Sequence, residues 1–185
     1  SCYEVNAHAL ARYAALCQEA NIVPIVEPEV LMDGDHSIER CEEVTTTILT
    51  MVFEQLRIQG VYLEGMILKP NMVISGKANA NRADAKTVAE ATLRVFHRTV
   101  PSAVPGIMFL SGGQSPQEAT EHLNIMNAEN PNLPWKLSFS YGRALQQEAL
   151  KAWSGKVENV GAAQAVYLAR AKKCSAACKG SYTGD

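Results

Sequence analysis

The sequence predicts an α/β protein built on a parallel sheet. Three observations carry this reading. Short apolar runs of strand length recur along the chain, each bounded by Gly, Pro or a polar residue. Longer segments with helical spacing lie between them, and strands alternating with helices indicate a parallel sheet. Finally, the residues just past every apolar run are polar, charged or glycine-rich, as at the strand ends of a barrel, where active sites are built.

The elements follow in chain order. Val5 to Ala20 predicts a helix with Leu10, Tyr13 and Cys17 on one face. Ile22 to Val26 (IVPIV) predicts the first strand. Ser37 is placed to cap a helix running to about Arg57, with Arg40 where a full capping box has Glu or Gln. Gly65 to Leu68 (GMIL) is the second strand, and Ala83 to Val100 is a helix stopped by Pro101. Ile107 to Leu110 is the third strand; Ser115-Pro116 then opens a helix, with proline in its favoured first-turn position. Leu137 to Phe139 is the fourth strand, and Arg143 to Cys178 reads as two helices broken near Ser154-Gly155. The order is α-β-α-β-α-β-α-β-α-α, with no low-complexity segment and no linker, as expected of a single domain over residues 1–185.

Bulk properties narrow the function. The 185 residues suffice for one sizeable core, and 47% hydrophobic with 19% charged residues is ordinary for a soluble globular protein. A net charge of -2 gives no footprint for nucleic acid, and no apolar run approaches a membrane span. The N-terminus lacks the basic flank and apolar stretch of a signal peptide, and it begins with serine, so a processed or partial chain is expected. Five irregularly spaced cysteines argue for a reducing compartment rather than a disulfide framework. Cys174 and Cys178 stand one helical turn apart, but no histidine or third cysteine lies nearby, so ordinary thiols and no metal are expected. His8, His36, His97 and His122 form no triad or metal set and are expected on the surface or satisfied. Asp33-Gly34-Asp35-His36 has too few ligands for a calcium loop and reads as a helix-leading turn, and Trp135 and Trp153 as packing residues.

Chemistry is concentrated at the strand ends. Glu27-Pro28-Glu29 follows the first strand, Lys69-Pro70-Asn71 the second, Ser111-Gly112-Gly113-Gln114 the third and Ser140-Tyr141-Gly142-Arg143 the fourth. The two glycine turns bare backbone N–H groups beside helix starts, which attracts anions, and Arg143 adds a guanidinium suited to phosphate. A phosphate site in the loops after the last two strands is common in (β/α)8 barrels; the plainer alternative is that the glycines only make turns. Lys69 ends an apolar run. Apolar surroundings disfavour a charged amine, and an uncharged one attacks carbonyls to form a Schiff base. That chemistry moves protons and needs a nearby acid/base, for which Glu27 is the candidate, with Glu29 behind it. The alternatives are a lysine that snorkels to the mouth of the sheet or pairs with Glu64 or Glu27, and a solvated Glu27/Glu29 loop pair.

VYLEGMILKPN (Val61 to Asn71) resembles the active-site signature of class I fructose-bisphosphate aldolase. IVPIVEPEVLMDGDH, FLSGGQS, FSYGRALQ and ALKAWSGK are similar to other stretches of that family, and the resemblance runs from Leu10 to about Tyr182. It implies an α/β fold of the (β/α)8 TIM barrel family, with this chain covering about the last four βα units. Lys69 would be the imine-forming nucleophile and Glu27 the acid/base in carbinolamine conversion. Glu29 would support the charge network around Lys69. Ser111, Gly112, Gly142 and Arg143 would hold the substrate phosphate. The implied reaction is reversible cleavage of fructose 1,6-bisphosphate to dihydroxyacetone phosphate and glyceraldehyde 3-phosphate, with no metal or other cofactor.

The implied family barrel is about twice this length. Its catalytic aspartate, a lysine beside the imine lysine and further basic residues would come from an N-terminal half, which is therefore an expected partner. A cytoplasmic or plastid homotetramer is implied, with no nucleic acid or membrane partner. Tyr182 is not equated with the tyrosine that ends the family's C-terminal tail. Two competing readings are another Schiff-base aldolase, and an inactive fragment that keeps only a sugar-phosphate-binding or scaffold surface.

Overall fold

The computed structural model describes residues 1–184. Helix α1 (Cys2–Glu19) precedes β1 (Ile25–Val26); α2 (Ile38–Ile58), β2 (Ile67–Leu68), α3 (Ala85–Thr99), β3 (Gly106–Phe109), α4 (Pro116–Glu129), β4 (Lys136–Phe139), α5 (Arg143–Trp153) and α6 (Val160–Ala177) follow. The strands lie side by side in the order β1-β2-β3-β4, and every pairing is parallel. Each α-helix between strands thus closes a βα step onto the next neighbour, without the reversal of order seen in doubly wound sheets.

The helix starts follow local chemistry. Ser37 accepts the Arg40 N–H and Asp84 the Thr87 N–H. Ser115 and Glu118 complete a reciprocal capping box ahead of Pro116. Helix α5 stops at Ser154 and Gly155, both in the left-handed region (φ 52° and 73°).

The structure corrects several expected details. Strand β1 is shorter than Ile22–Val26, because Pro24 has no N–H to donate and Ile22 and Val23 stay exposed. Gly65 is used in a 3₁₀ turn (Leu63–Gly65), so β2 starts at Ile67. Helix α1 buries Ala7, Ala11 and Ala14 rather than the face of Tyr13 and Cys17; small side chains let it approach its neighbour α2 closely. Trp135 packs edge-on against Phe96 and donates its indole N–H to Pro101 O at 3.0 Å. Trp153 is not a core residue: it stays partly exposed beside a pocket of about 520 Å³ between α5 and α6.

Strand alternation gives the sheet two unlike faces. Val26, Leu68, Ile107 and Leu137 stand in register and are buried in the core with α-helical residues such as Leu49, Phe96 and Leu123. The opposite face carries Ile25, which is 48% exposed, and Met108, which is partly exposed. Among the described residues no helix is long and apolar enough to cross a membrane.

Beyond the strands, the loops after β1 and β2 form a short ladder of their own. Lys77 N–H donates to Met32 O, Ala78 N–H to Gly34 O, and Gly76 N–H to His36 O, all at 2.9 Å. Asn79 Nδ2 adds bonds to the Asp35 and His36 carbonyls, and Lys77 pairs with Asp33. The contact is too close for a side chain at Gly76, whose Cβ would lie 2.4 Å from Gly34 O. Gly76→Ala is therefore expected to cost about 1–3 kcal/mol, the usual cost of overpacking. Gly161→Ala, in α6 with nothing within 4 Å, is expected to be neutral or mildly stabilising. Denaturant midpoints of the two variants check the contrast; equal midpoints would show that the ladder does not hold the loops together.

Candidate active site

The register of the sheet makes the first candidate pair. Ile25 stands opposite Ile67 and Val26 opposite Leu68. The Lys69 N–H continues this ladder to Val26 O at 2.8 Å. The next step along each strand brings Lys69 beside Glu27, on the face opposite buried Val26 and Leu68. Lys69 Nζ lies 3.0 Å from Glu27 Oε1, with the lysine side chain 20% exposed and the glutamate 44%. Of the two partners expected for Lys69, the structure selects Glu27; Glu64 is exposed on the 3₁₀ turn.

Asn71, buried directly after Lys69-Pro70, fixes this corner. Its Nδ2 donates to Thr45 Oγ1 at 3.2 Å and to Met72 O at 3.1 Å. Its Oδ1 accepts the Val30 N–H at 3.0 Å, which ties down the loop that carries Glu27 and Glu29. Glu29 is exposed, and its Oε1 reaches the β3 turn, 3.3 Å from where a Cβ on Gly112 would sit. It makes no ion pair with Lys69.

The turn after β3 is packed from below. A Cβ on Gly112 would meet Met32 Cε at 2.4 Å, and one on Gly113 would meet Met32 Cγ at 2.5 Å and Ile74 Cδ1 at 2.7 Å. Gly113 also sits at φ 77°. Gly113 is thus required by close approach as well as by the turn, whereas the nearest atom to Gly112 is the movable methyl of Met32. Ser111 is buried, 8% exposed. The turn after β4 is different. Gly142 has nothing within 4 Å of a Cβ and starts α5 with no side-chain cap, so its surroundings are open. Buried Tyr141 anchors it by donating to Ala119 O at 2.7 Å. Arg143 is exposed and lines a pocket of about 140 Å³ with Gly113, Gln114, Ser115, Lys77 and Arg82. The predicted residues therefore fall in separate places: Lys69 with Glu27 at the sheet, Glu29 reaching Gly112, and Arg143 on a small pocket that it shares with Gly113 but whose lining does not include Ser111, Gly112 or Gly142.

Sequence reasoning did not single out Lys77, Arg82 or Asn71 for this site. Lys77 and Arg82 come from the loop between β2 and α3, whose sequence KANANRAD carries no periodic or motif signal. Asn71 stood in view after the lysine and proline, but two of its three bonds depend on a distant loop and helix. His122 is of the satisfied kind: buried on α4, its Nδ1 meets Gln114 Oε1 at 2.6 Å. Cys174 and Cys178 face Thr120 and Ser138 respectively.

A four-step parallel βα array with a lysine–carboxylate pair and two glycine turns at one end of its strands is the arrangement of a (β/α)8 barrel segment, a class whose active sites are built at that end. The family model for "Fructose-bisphosphate aldolase class-I" matches residues 1–185, and the chain belongs to that family. It is 53% identical over 180 residues to a cytosolic fructose-bisphosphate aldolase of Arabidopsis thaliana, covering 97% of this chain and 46% of that one. It is 55% identical over 177 residues to fructose-bisphosphate aldolase B of Gallus gallus, covering 96% and 49%. Its fold matches fructose-bisphosphate aldolase of Plasmodium falciparum, solved with TRAP and a small-molecule inhibitor, with a TM-score of 0.96 at 51% identity. That match covers 99% of this chain and 52% of the other, so the chain spans about half the length of its relatives, their C-terminal portion.

Burial pushes the His122 imidazole down to about 4 from 6.5; Arg82 acts in the same direction and Glu118 opposes it. Between those pH values the unfolded chain binds a proton that the folded protein does not. Stability is therefore expected to fall as pH drops from 6.5 toward about 4, by up to roughly 3 kcal/mol. Denaturant titrations across this window check it: His122→Asn should be less stable at neutral pH yet show a flatter pH dependence. Parallel slopes for the two proteins would contradict the assignment.

Proposed function

We propose that residues 1–185 form, as one domain, the C-terminal half of a class I fructose-bisphosphate aldolase barrel. The observation that carries the chemistry is the Lys69–Glu27 pair at 3.0 Å, at the open end of the sheet. A proton passed from the Lys69 ammonium to the Glu27 carboxylate leaves a free amine beside a carboxylic acid. The amine attacks the ketose carbonyl and forms a carbinolamine. Glu27 then protonates the departing hydroxyl, water leaves, and a protonated imine remains. The electrons of the adjacent carbon–carbon bond flow into that imine, giving an enamine on Lys69 and releasing the aldehyde. The base that takes the hydroxyl proton of the departing fragment belongs to the N-terminal half.

Ser111, Gly112, Gly142 and Arg143 hold the phosphate next to the reacting carbonyl. The open space at Gly142 and the exposed guanidinium of Arg143 support this, since both can meet an anion. Glu29, beside Gly112, supports the charge balance between the lysine pair and the phosphate turn. The reaction needs no metal or other cofactor from these residues. The names of the cytosolic and cytoplasmic relatives support a cytoplasmic enzyme, and membership of the family supports a homo-oligomer, which we take to be a tetramer.

Borohydride reduction in the presence of dihydroxyacetone phosphate, read by intact mass and peptide mapping, tests the proposal. The complete barrel should carry one reduced adduct, on Lys69, and Lys69→Arg should carry none. Glu27→Gln should slow trapping by about 10²- to 10⁴-fold, the usual contribution of a positioned acid/base. An adduct on another lysine would overturn the assignment. Sugar-phosphate binding without any adduct in the complete barrel would favour a non-enzymatic binding role. The need for the other half has its own check: residues 1–185 alone should self-associate in sedimentation, and a monodisperse folded monomer would contradict it.

A further inference from the structure

We propose that Arg82 is a positioning residue for the phosphate turn, holding Gly112 and Gly113 in their anion-binding conformation through the Gly113 carbonyl. The inference rests on the phosphate role of that turn. Arg82 lies on the loop between β2 and α3, outside every motif that marks the site. Its Nη2 donates to Gly113 O at 2.9 Å. Its Nη1 lies 3.4 Å from Glu118 Oε1. The other Glu118 oxygen accepts the Ser115 N–H at 2.7 Å, and Ser115 Oγ accepts the Glu118 N–H in return. Arg82 therefore grips the turn at Gly113 and also, through Glu118, at the helix start that follows it.

Two consequences follow from this geometry. First, Gly113 is in the left-handed region, and a glycine pair is free to flip its peptide planes. A turn offering N–H groups to an anion must not flip. Met32 and Ile74 limit movement from below but make no hydrogen bond to the turn, whereas Arg82 fixes a carbonyl direction. Gln114 anchors the far end, with its N–H on Ser111 O and its side chain on His122. Second, Glu118 lines the same small pocket as Arg143. An uncompensated carboxylate there would repel phosphate, and Arg82 offsets its charge. Both effects act on affinity for phosphate rather than on the imine chemistry at Lys69.

The test uses the complete barrel and two trapping ligands, dihydroxyacetone phosphate and unphosphorylated dihydroxyacetone, each with borohydride. Arg82→Met should raise the half-saturating concentration of the phosphorylated ligand about tenfold, the loss of one charge-assisted hydrogen bond. Trapping of dihydroxyacetone should be unchanged, and Arg82→Lys should recover part of the loss. An equal loss for both ligands would mean a general structural defect and would overturn the proposal, as would no change for either. Arg143→Met separates the layers. If it weakens phosphorylated trapping while Arg82→Met does not, only the Arg82 role fails. If neither variant nor Ser111→Ala discriminates the two ligands, the phosphate assignment of the turn fails with it.

Discussion

The parallel hydrogen-bond register is the constraint on which the rest of the structure depends. Side chains alternate across a strand, so slipping one strand by one residue would move its whole set to the other face. The pairing of Val26 with Leu68 puts both in the core and turns Glu27 and Lys69 together to the opposite face. The ladder also runs past the formal strand ends: Leu110 N–H reaches Pro70 O and Ser140 N–H reaches Phe109 O. Each post-strand residue is therefore placed by backbone bonds made before its loop begins. The two-residue strands β1 and β2 suffice for this because the buried residues around them leave no alternative register that keeps the core apolar.

The loops add a second layer of order. Loops on a protein surface are ordinarily its most mobile parts. Here the loops after β1, β2 and β3 hold one another. The β1 loop places Met32 under Gly112 and Gly113, and the β2 loop bonds to the β1 loop through Gly76, Lys77 and Ala78. Arg82 then carries the β2 loop onto the β3 turn. Asn71 closes the arrangement at its base, on Val30 and on Thr45 of α2. The end that in the proposed reaction holds a lysine, an acid and an anion in fixed relation is thus built from three loops acting as one body.

Much of this was legible in the sequence, for physical reasons that differ by element. Ser37, Ser115-Pro116 and Ser154-Gly155 marked helix ends because capping and left-handed stops are local chemistry. The parallel order followed from alternation alone. Strand lengths were overread where Pro24 and Gly65 interrupt apolar runs, since apolar character does not reveal whether a backbone donor is available. The inward face of α1 was misread because alanine packing depends on how close a neighbouring helix approaches, which periodicity does not show. At the site, Lys69 and Glu27 could be paired in advance because both follow strands directly. Arg82 and Lys77 could not be found, because their positions depend on the course of a loop that has no pattern of its own.

The two unlike faces of the sheet bear on what completes the protein. The helix side is closed: Val26, Leu68 and Ile107 are wholly buried. The other side holds Ile25, half exposed, and the Lys69–Glu27 pair, and both edge strands keep one unpaired row of backbone groups. A partner that covered only the open face would leave the edges unsatisfied, and one that paired only with the edges would leave the face wet. Further parallel strands that continue from β1 and return to β4 meet both needs at once, because closing a sheet on itself removes its edges and fills its interior in the same act. The same closure would shield the Lys69–Glu27 pair from bulk water, and desolvation favours a neutral amine beside a carboxylic acid over two separate charges. In the proposed reaction, completing the fold and preparing the nucleophile are therefore one physical event.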